Sequence, residues 1–150
     1  MPLLNESHLS RIGVSTPPVR EEVTRREIRR YSVATRQRLP KYLAGDEAPP
    51  LFFTRFFEHI PSLDDLQPNG QTADPLTHGL PLKRQMAGGS EVAFHRPVRP
   101  GDVLTSVRTL TAMEEKQGRT GTFILCTIET RVTDAQQNPV VTEIHTRILR

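Results

Sequence analysis

The groups in this 150-residue chain able to move protons or attack carbon are five histidines, one cysteine and a scatter of carboxylates. Asp74 and His78 lie four positions apart in a stretch without regular pattern. A carboxylate beside an imidazole there would suit general acid–base work, since the ring titrates near neutrality. Spacing alone does not join the two side chains, and a pair of solvated loop residues is the simpler expectation. His95, next to Arg96 at the end of a strand-like run, reads as structural or interfacial and stands with Asp74 and His78 as a substitute base. His59 closes an apolar run, where an imidazole faces the last-turn carbonyls of a helix. Asp46, Asp64 and Asp65 complete the nearby acids. Cys126 sits inside Phe123-Ile124-Leu125-Cys126 and reads as a small buried hydrophobe. One cysteine excludes an internal disulfide and a multi-cysteine zinc site. No metal-ligand spacing, Walker-type loop or dinucleotide fingerprint is present, so neither a metal nor a redox cofactor is expected.

Cations come next. Lys83, Arg84, Arg96 and Arg99 are candidates for the rim of a cleft, where they would meet the phosphates of an anionic ligand. Solvated surface charge is the commoner fate of such residues. Arg25, Arg26, Arg29 and Arg30 fall within six positions, but Glu21, Glu22 and Glu27 dilute them and no nucleic-acid motif accompanies them. They read as a solvated helix face, and no nucleic-acid partner is expected. The formal charge of +3 remains compatible with an anionic small molecule. Gly88-Gly89 removes side chains just before a strand, which permits close approach by a neighbouring backbone or a ligand.

The elements that must hold these groups follow from periodicity. Residues 1–20 carry Pro2, Gly13, Pro17 and Pro18 without pattern and read as an irregular lead-in. Thr24-x-x-Glu27 spells a capping box. Behind it Ile28, Tyr31 and Thr35 recur at helical spacing, predicting a helix from Thr24 to Arg38 that stops at Pro40. Pro49-Pro50 open a second helix, whose apolar set Leu51, Phe52, Phe53, Phe56, Phe57 and Ile60 predicts a largely buried element. Residues 61–87 read as a long loop, a kind that is usually functional, interfacial or disordered. From Gly88 onward the period is two. Val92 and Phe94, then Val103 to Thr109, then Ile124 to Val132, then 140–149 predict four strands. Gln117-Gly118-Arg119 and the residues 135–138 are short enough for hairpins, and Pro100-Gly101-Asp102 is good turn chemistry between the strands at 90–97 and 102–114. The expected class is α+β: an antiparallel meander wrapped around one hydrophobic helix, which is the hot-dog arrangement, as one domain over 1–150. A chain of this length buries roughly 68–70% of its unfolded surface and folds without disulfide or metal. It shows no apolar run of about 18 residues and no signal-peptide pattern, so a cytoplasmic protein with no membrane partner is expected.

The segment Gly79-Leu80-Pro81-Leu82-Lys83-Arg84-Gln85-Met86-Ala87-Gly88-Gly89 resembles a stretch of the two-half MaoC-like hydratases, the mesaconyl-CoA and methylfumaryl-CoA hydratases among them. Phe94-His95-Arg96-Pro97-Val98-Arg99-Pro100-Gly101-Asp102 looks like that family's arginine–proline to glycine–aspartate turn. Lys116 to Gly121 and Asn138 to Val141 continue the likeness, which spans about residues 20–150. The resemblance implies reversible hydration of an enoyl thioester, with acyl-CoA as substrate and no separate cofactor. Catalytic members carry an aspartate and a histidine in a motif resembling aspartate-x-asparagine-proline-x-histidine. Placing Pro40 on the motif's proline puts Gln37 at the aspartate, Leu39 at the asparagine and Tyr42 at the histidine. Neither Gln37 nor Tyr42 is a general base near neutral pH.

The resemblance is therefore to the N-terminal, non-catalytic half. It implies an accessory, substrate-binding subunit that pairs with a catalytic MaoC-like hot-dog subunit as a heterodimer or heterotetramer. Lys83, Arg84, Gly88, Gly89, Arg96 and Arg99 are the expected substrate-binding residues. Two readings compete with it. One is a self-sufficient hydratase or acyl-CoA thioesterase homodimer using a relocated acid, since thioesterases share the fold. The other is a non-enzymatic acyl-CoA-binding module.

Overall fold

The computed structural model describes residues 2–57 and 60–150, the side chain of Arg55 excepted. Residues 103–149 alternate in polarity and form three long strands: β3 (Val103–Gly118), β4 (Gly121–Thr133) and β5 (Pro139–Leu149). They pair antiparallel in sequence order through the two predicted hairpins. Two more strands, β1 (Val19–Glu22) and β2 (Gln85–Phe94), complete a five-stranded antiparallel sheet of order β1-β3-β4-β5-β2.

This order corrects the simple meander. β2 pairs with β5, from Gln85 opposite Leu149 to Phe94 opposite Val141. Pro100-Gly101-Asp102 thus begins a crossover from one sheet edge toward the other, and is not a hairpin between neighbours. Alternation specifies which side of a strand is buried, but not which of two open edges it joins. The lead-in also holds more structure than expected. Its β1 closes the other edge against β3, Val19 opposite Ser106, and a single turn of helix, α1 (Glu6–Leu9), precedes it with a capping box from Asn5 and His8.

The Thr24–Glu27 capping box starts α2 (Arg25–Ala34) as predicted. The helix ends earlier than predicted, because Arg36 takes a left-handed conformation (φ 55°). Pro40 then opens a separate short helix, α3 (Pro40–Ala44), instead of merely stopping the first. The phenylalanine run gives a 3-10 turn at Pro50–Phe52 followed by α4 (Phe53–Phe56), not a ten-residue helix. Phe52 and Phe53 are buried, whereas Leu51 and Ile60 are 52% and 90% exposed. The end of that run, with His59, lies outside the described residues. Within 61–87 a 3-10 turn occupies Leu63–Asp65 and β2 begins at Gln85.

Ile28, Phe52, Phe53, Ala48 and Val98 pack with Leu104, Val132 and Val141 in one apolar cluster. Leu76 and Leu80 pack with Leu110, Met113, Ile124, Ile128 and Leu149 in a second. In β4 the set Ile124, Cys126, Ile128, Thr130 and Val132 is buried throughout, as alternation predicts. In β3 the buried set is Leu104, Ser106, Leu110 and Met113, so the apolar Val103 and Val107 belong to the opposite, half-buried side.

The glycine pair lies in an irregularity of the β2–β5 ladder between Ala87 and Ser90. A Cβ on Gly88 would stand 2.3 Å from Thr146 Oγ1, whereas one on Gly89 would meet nothing closer than 4.0 Å. The close approach required at Gly88 is therefore made by Thr146, whose Oγ1 also accepts from the Gly89 N–H at 2.8 Å. Gly88→Ala is expected to lower unfolding free energy by about 1–3 kcal/mol. Gly89→Ala should change it by no more than about 0.5 kcal/mol, both read from urea denaturation.

Candidate functional site

Alternation along β5 sends Val141, Glu143, His145, Arg147 and Leu149 to one side of the sheet. The register extends each position across neighbouring strands. Arg108, Thr130 and Glu143 form one row, and Leu110, Ile128, His145 and Ser90 form the next. Met113, Cys126 and Arg147 form a third. A polar island thus lies on the covered face of the sheet between the two apolar clusters. A burial cost of this size is met only by hydrogen bonding or ion pairing.

Asp74 is the first partner. Its carboxylate, 14% exposed, takes Arg108 Nη2 at 2.8 Å and is also bonded by Arg147 Nη1. Oδ1 accepts from the Leu76 N–H at 3.0 Å, and the Asp74 carbonyl accepts from the N–H groups of Thr77 and His78. Burial pushes the Asp74 carboxyl up, but the Arg108 hydrogen bond and the charges of Arg108 and Arg147 outweigh it and hold the group below its ordinary range. Such a carboxylate is a poor proton acceptor at neutral pH. Asp74 anchors the preceding loop to β3 and β5. Arg11 completes the anchor by donating to the carbonyls of Pro75, Leu76 and His78. His78 has an exposed side chain, and its backbone, not its ring, meets Asp74. The Asp74–His78 pair thus has no dyad geometry.

The second half of the island is Glu143, His145 and Ser90. Ser90 Oγ donates to Glu143 Oε1. Glu143 Oε2 lies 3.7 Å from His145 Nδ1, a nitrogen that is buried and makes no hydrogen bond. The His145 imidazole beside it holds the Glu143 carboxyl below its ordinary range, helped by the Ser90 hydroxyl and the charge of Arg108 against the burial that pushes it up. Periodicity carries the signal for this pair. Glu143, His145 and Arg147 occupy consecutive core-facing positions between Val141 and Leu149, and Arg108 does so between Ser106 and Leu110.

The other expected residues are placed as follows. Gln37 is half-buried after α2, its Nε2 donating to Thr35 Oγ1 at 3.2 Å. Tyr42 is buried in α3 with Lys41 Nζ 5.1 Å from its ring centroid. His95 is exposed, with Nε2 3.1 Å from Thr142 Oγ1. Arg96 clamps Asp102 through two hydrogen bonds of 2.8 and 3.2 Å and lies 3.8 Å from Asp134. The Asp102 hydrogen bond raises its pKa further against burial, so Arg96 is spent on the turn. Arg99 is exposed, 3.9 Å from Glu47. Lys83 and Arg84 are exposed at the opposite end of β2, about 30 Å from Arg96 along the strand. The four cations therefore do not form one phosphate site. Arg84 instead meets Arg150 through two backbone hydrogen bonds, beside a small cavity of about 260 Å³ that these two share with Gln85 and Met86. Burial pushes the Cys126 thiol up to about 11, which leaves it unreactive at neutral pH. Among the described residues no group of metal-ligating side chains is found, and no helix is long and apolar enough to cross a membrane.

Comparison with known proteins places this geometry. The chain is 28% identical over 157 residues to a UPF0336 protein of Saccharopolyspora erythraea, covering 98% of this chain and 92% of that one. Its fold matches the C-terminally truncated HadBC (3R-hydroxyacyl-ACP dehydratase) complex of Mycobacterium tuberculosis with a TM-score of 0.65, at 17% identity, over 92% of this chain and 96% of that one. It matches the ChsH1–ChsH2 complex of the same organism with a TM-score of 0.70, at 17% identity, over 90% of this chain and 83% of that one. The sheet with its few short helices is thus a single hot-dog fold of the α+β class. Residues 10–143 match the family described as the FAS1-like dehydratase domain region, and the chain belongs to that family of hydratases and dehydratases.

Proposed function

We propose that this chain is the accessory, substrate-binding subunit of an (R)-specific enoyl thioester hydratase or 3-hydroxyacyl thioester dehydratase. The aspartate–histidine dyad would reside on a partner hot-dog subunit, and the pair would work in the cytoplasm. The observation that carries the reading is the pair Gln37 and Tyr42 at the dyad positions. An amide and a buried phenol cannot exchange a proton with carbon near neutral pH. The sequence-nominated substitutes do not repair this, with Asp74 committed to two arginines and His78 and His95 exposed. Two of the similar structures, HadBC and ChsH1–ChsH2, are complexes of two differently named chains, which supports a two-subunit arrangement. This reading extends the likeness to the non-catalytic half of the two-half MaoC-like hydratases, with 1–150 as one domain.

The test is hydration of short and long enoyl-CoA by the purified chain, followed at the enone absorbance. The chain alone should show no turnover. Adding a dyad-bearing hot-dog partner should raise the rate by at least about 10²–10⁴-fold, the contribution of a positioned acid–base group. Turnover by the chain alone would overturn the proposal. Release of free thiol from acyl-CoA would instead favour a self-sufficient thioesterase.

A further inference from the structure

We propose that the side of the sheet turned away from the two apolar clusters is an interface for a second copy of this chain, the two sheets packing back to back about a two-fold axis. The inference does not depend on the accessory-subunit reading, because it concerns mass and not turnover.

Register lays this side out in rows across β3, β4, β5 and β2. Glu114, Leu125, Ile148 and Met86 form one row. The next holds Ala112, Thr127 and Thr146, with the Gly88-Gly89 irregularity beside Thr146. Beyond it lie Thr109, Glu129, Ile144 and Glu91. On the other flank of the first row stand Lys116 and Phe123. The Arg150 guanidinium lies 5.8 Å from the Phe123 ring centroid, and Arg84 is joined to Arg150 by two backbone hydrogen bonds, so both arginines belong to that last row.

Three features of these rows converge. First, the uncovered side of an antiparallel sheet ordinarily reads polar, yet Leu125, Ile148 and Met86 stand in line across three strands. Met86 is 48% exposed and the nearby Ile144 45%. Second, the adjoining row offers only small groups, Ala112, two threonines and the glycine pair. Third, the charges are segregated. Lys116, Arg150 and Arg84 occupy one end, and Glu129 and Glu91 lie about 20 Å along the strands. Among the described residues Arg84, Arg150 and Glu91 have no partner of opposite charge. Lys116 and Glu129 have only local ones, Glu114 at 2.9 Å and Arg131 at 2.6 Å, and pairs this exposed contribute little.

A two-fold axis in the plane of the interface, running across the strands between the large row and the small row, uses all three features at once. It lays each strand antiparallel on its own counterpart. Leu125 then meets Thr127 of the second copy, Ile148 meets its Thr146, and Met86 enters the gap left by its glycine pair. Arg84 meets Glu91 of the second copy, whose Glu129 falls beside Arg150 and Lys116. Packed sheets stand about 10 Å apart, a spacing at which a large row interdigitates with a small one. Charge complementarity selects the second copy as occupant, because this surface carries its own counter-charges in two-fold-related positions.

The test is sedimentation equilibrium of the full chain over a range of concentrations, with circular dichroism as the check on folding. The wild-type chain should associate reversibly, more weakly as salt is raised. Ile148→Glu should abolish the association. Arg84→Glu and Glu91→Arg should each weaken it about tenfold, because every contact occurs twice across the axis. Combining the two reversals in one chain should restore it, since residues 84 and 91 are too far apart along β2 to meet within one copy. These two positions are exposed at the sheet edge, so they test the interface even where Ile148→Glu does not fold. A wild-type chain that stays monomeric at hundreds of micromolar overturns the proposal. So does an association that survives Ile148→Glu or the single reversals, or one that the combined reversal does not restore, since it then runs through another surface such as the open β2 edge.

Discussion

Asp74→Ala is expected to lower the unfolding free energy by about 3 kcal/mol, because removing one partner of a buried pair strands the charges opposite it. Two guanidinium groups, Arg108 and Arg147, would lose their common counter-ion on the covered face of the sheet. The loop carrying Leu76 and Leu80 would lose its anchor, and both residues belong to the second apolar cluster. The same pair predicts a pH dependence whose sign follows from the carboxyl. Its folded pKa is depressed below the unfolded value of about 3.9. The stabilisation is therefore fully present above that value and is lost as pH falls through the lower, folded one. Urea midpoints should drop below about pH 4 in the wild-type chain, and Asp74→Asn should show a shallower acid limb from a lower starting point. An unchanged acid limb in Asp74→Asn would mean that other carboxylates carry the effect.

Phe52→Ala should cost about 3–5 kcal/mol, the range for removing a buried aromatic ring. Phe52 meets Tyr31 of α2 edge-on at 5.6 Å and stacks on Phe56 at 5.0 Å, so it joins α2 to α4. It also belongs to the cluster that includes Leu104, Val132 and Val141 of the sheet. Leu51→Ala, one position away and half-exposed, should shift stability by no more than about 0.5 kcal/mol. Denaturant midpoints of the two variants measured side by side decide whether the ring is the joint between helices and sheet. Comparable losses at both positions would mean that Leu51 is covered in solution, as it would be in a longer buried helix or at a subunit interface.

The contrast between Leu51 and Phe52 shows where reading the chain alone runs short. An apolar run at helical spacing marks a segment that will be buried somewhere, but its length as a helix depends on what it packs against. Here the 3-10 turn and the four residues of α4 place Phe52 and Phe53 inward and leave Leu51 outside. The cations ran short in the same way. Arg84, Arg96 and Arg99 fall within sixteen positions of each other, but a ten-residue strand separates the first from the other two. Arg96 is moreover committed to Asp102.

Local pattern by itself determined the strands β3, β4 and β5, the two hairpins between them, the capping box that starts α2 and the α+β class. Each depends on interactions between residues close in sequence, so side-chain alternation and turn or cap chemistry suffice to specify them. The reading that sets Gln37 and Tyr42 at the family's acid and imidazole positions likewise comes from residue type and spacing, because it needs no tertiary contact. Only the tertiary structure decided that β2 joins β5 at the far edge, that Asp74 meets Arg108 and Arg147 instead of His78, and that Ser90 donates to Glu143. Those pairings join residues roughly 30–75 positions apart, and their partners are chosen by which strand edge is open and which charge must be neutralised once the sheet has closed.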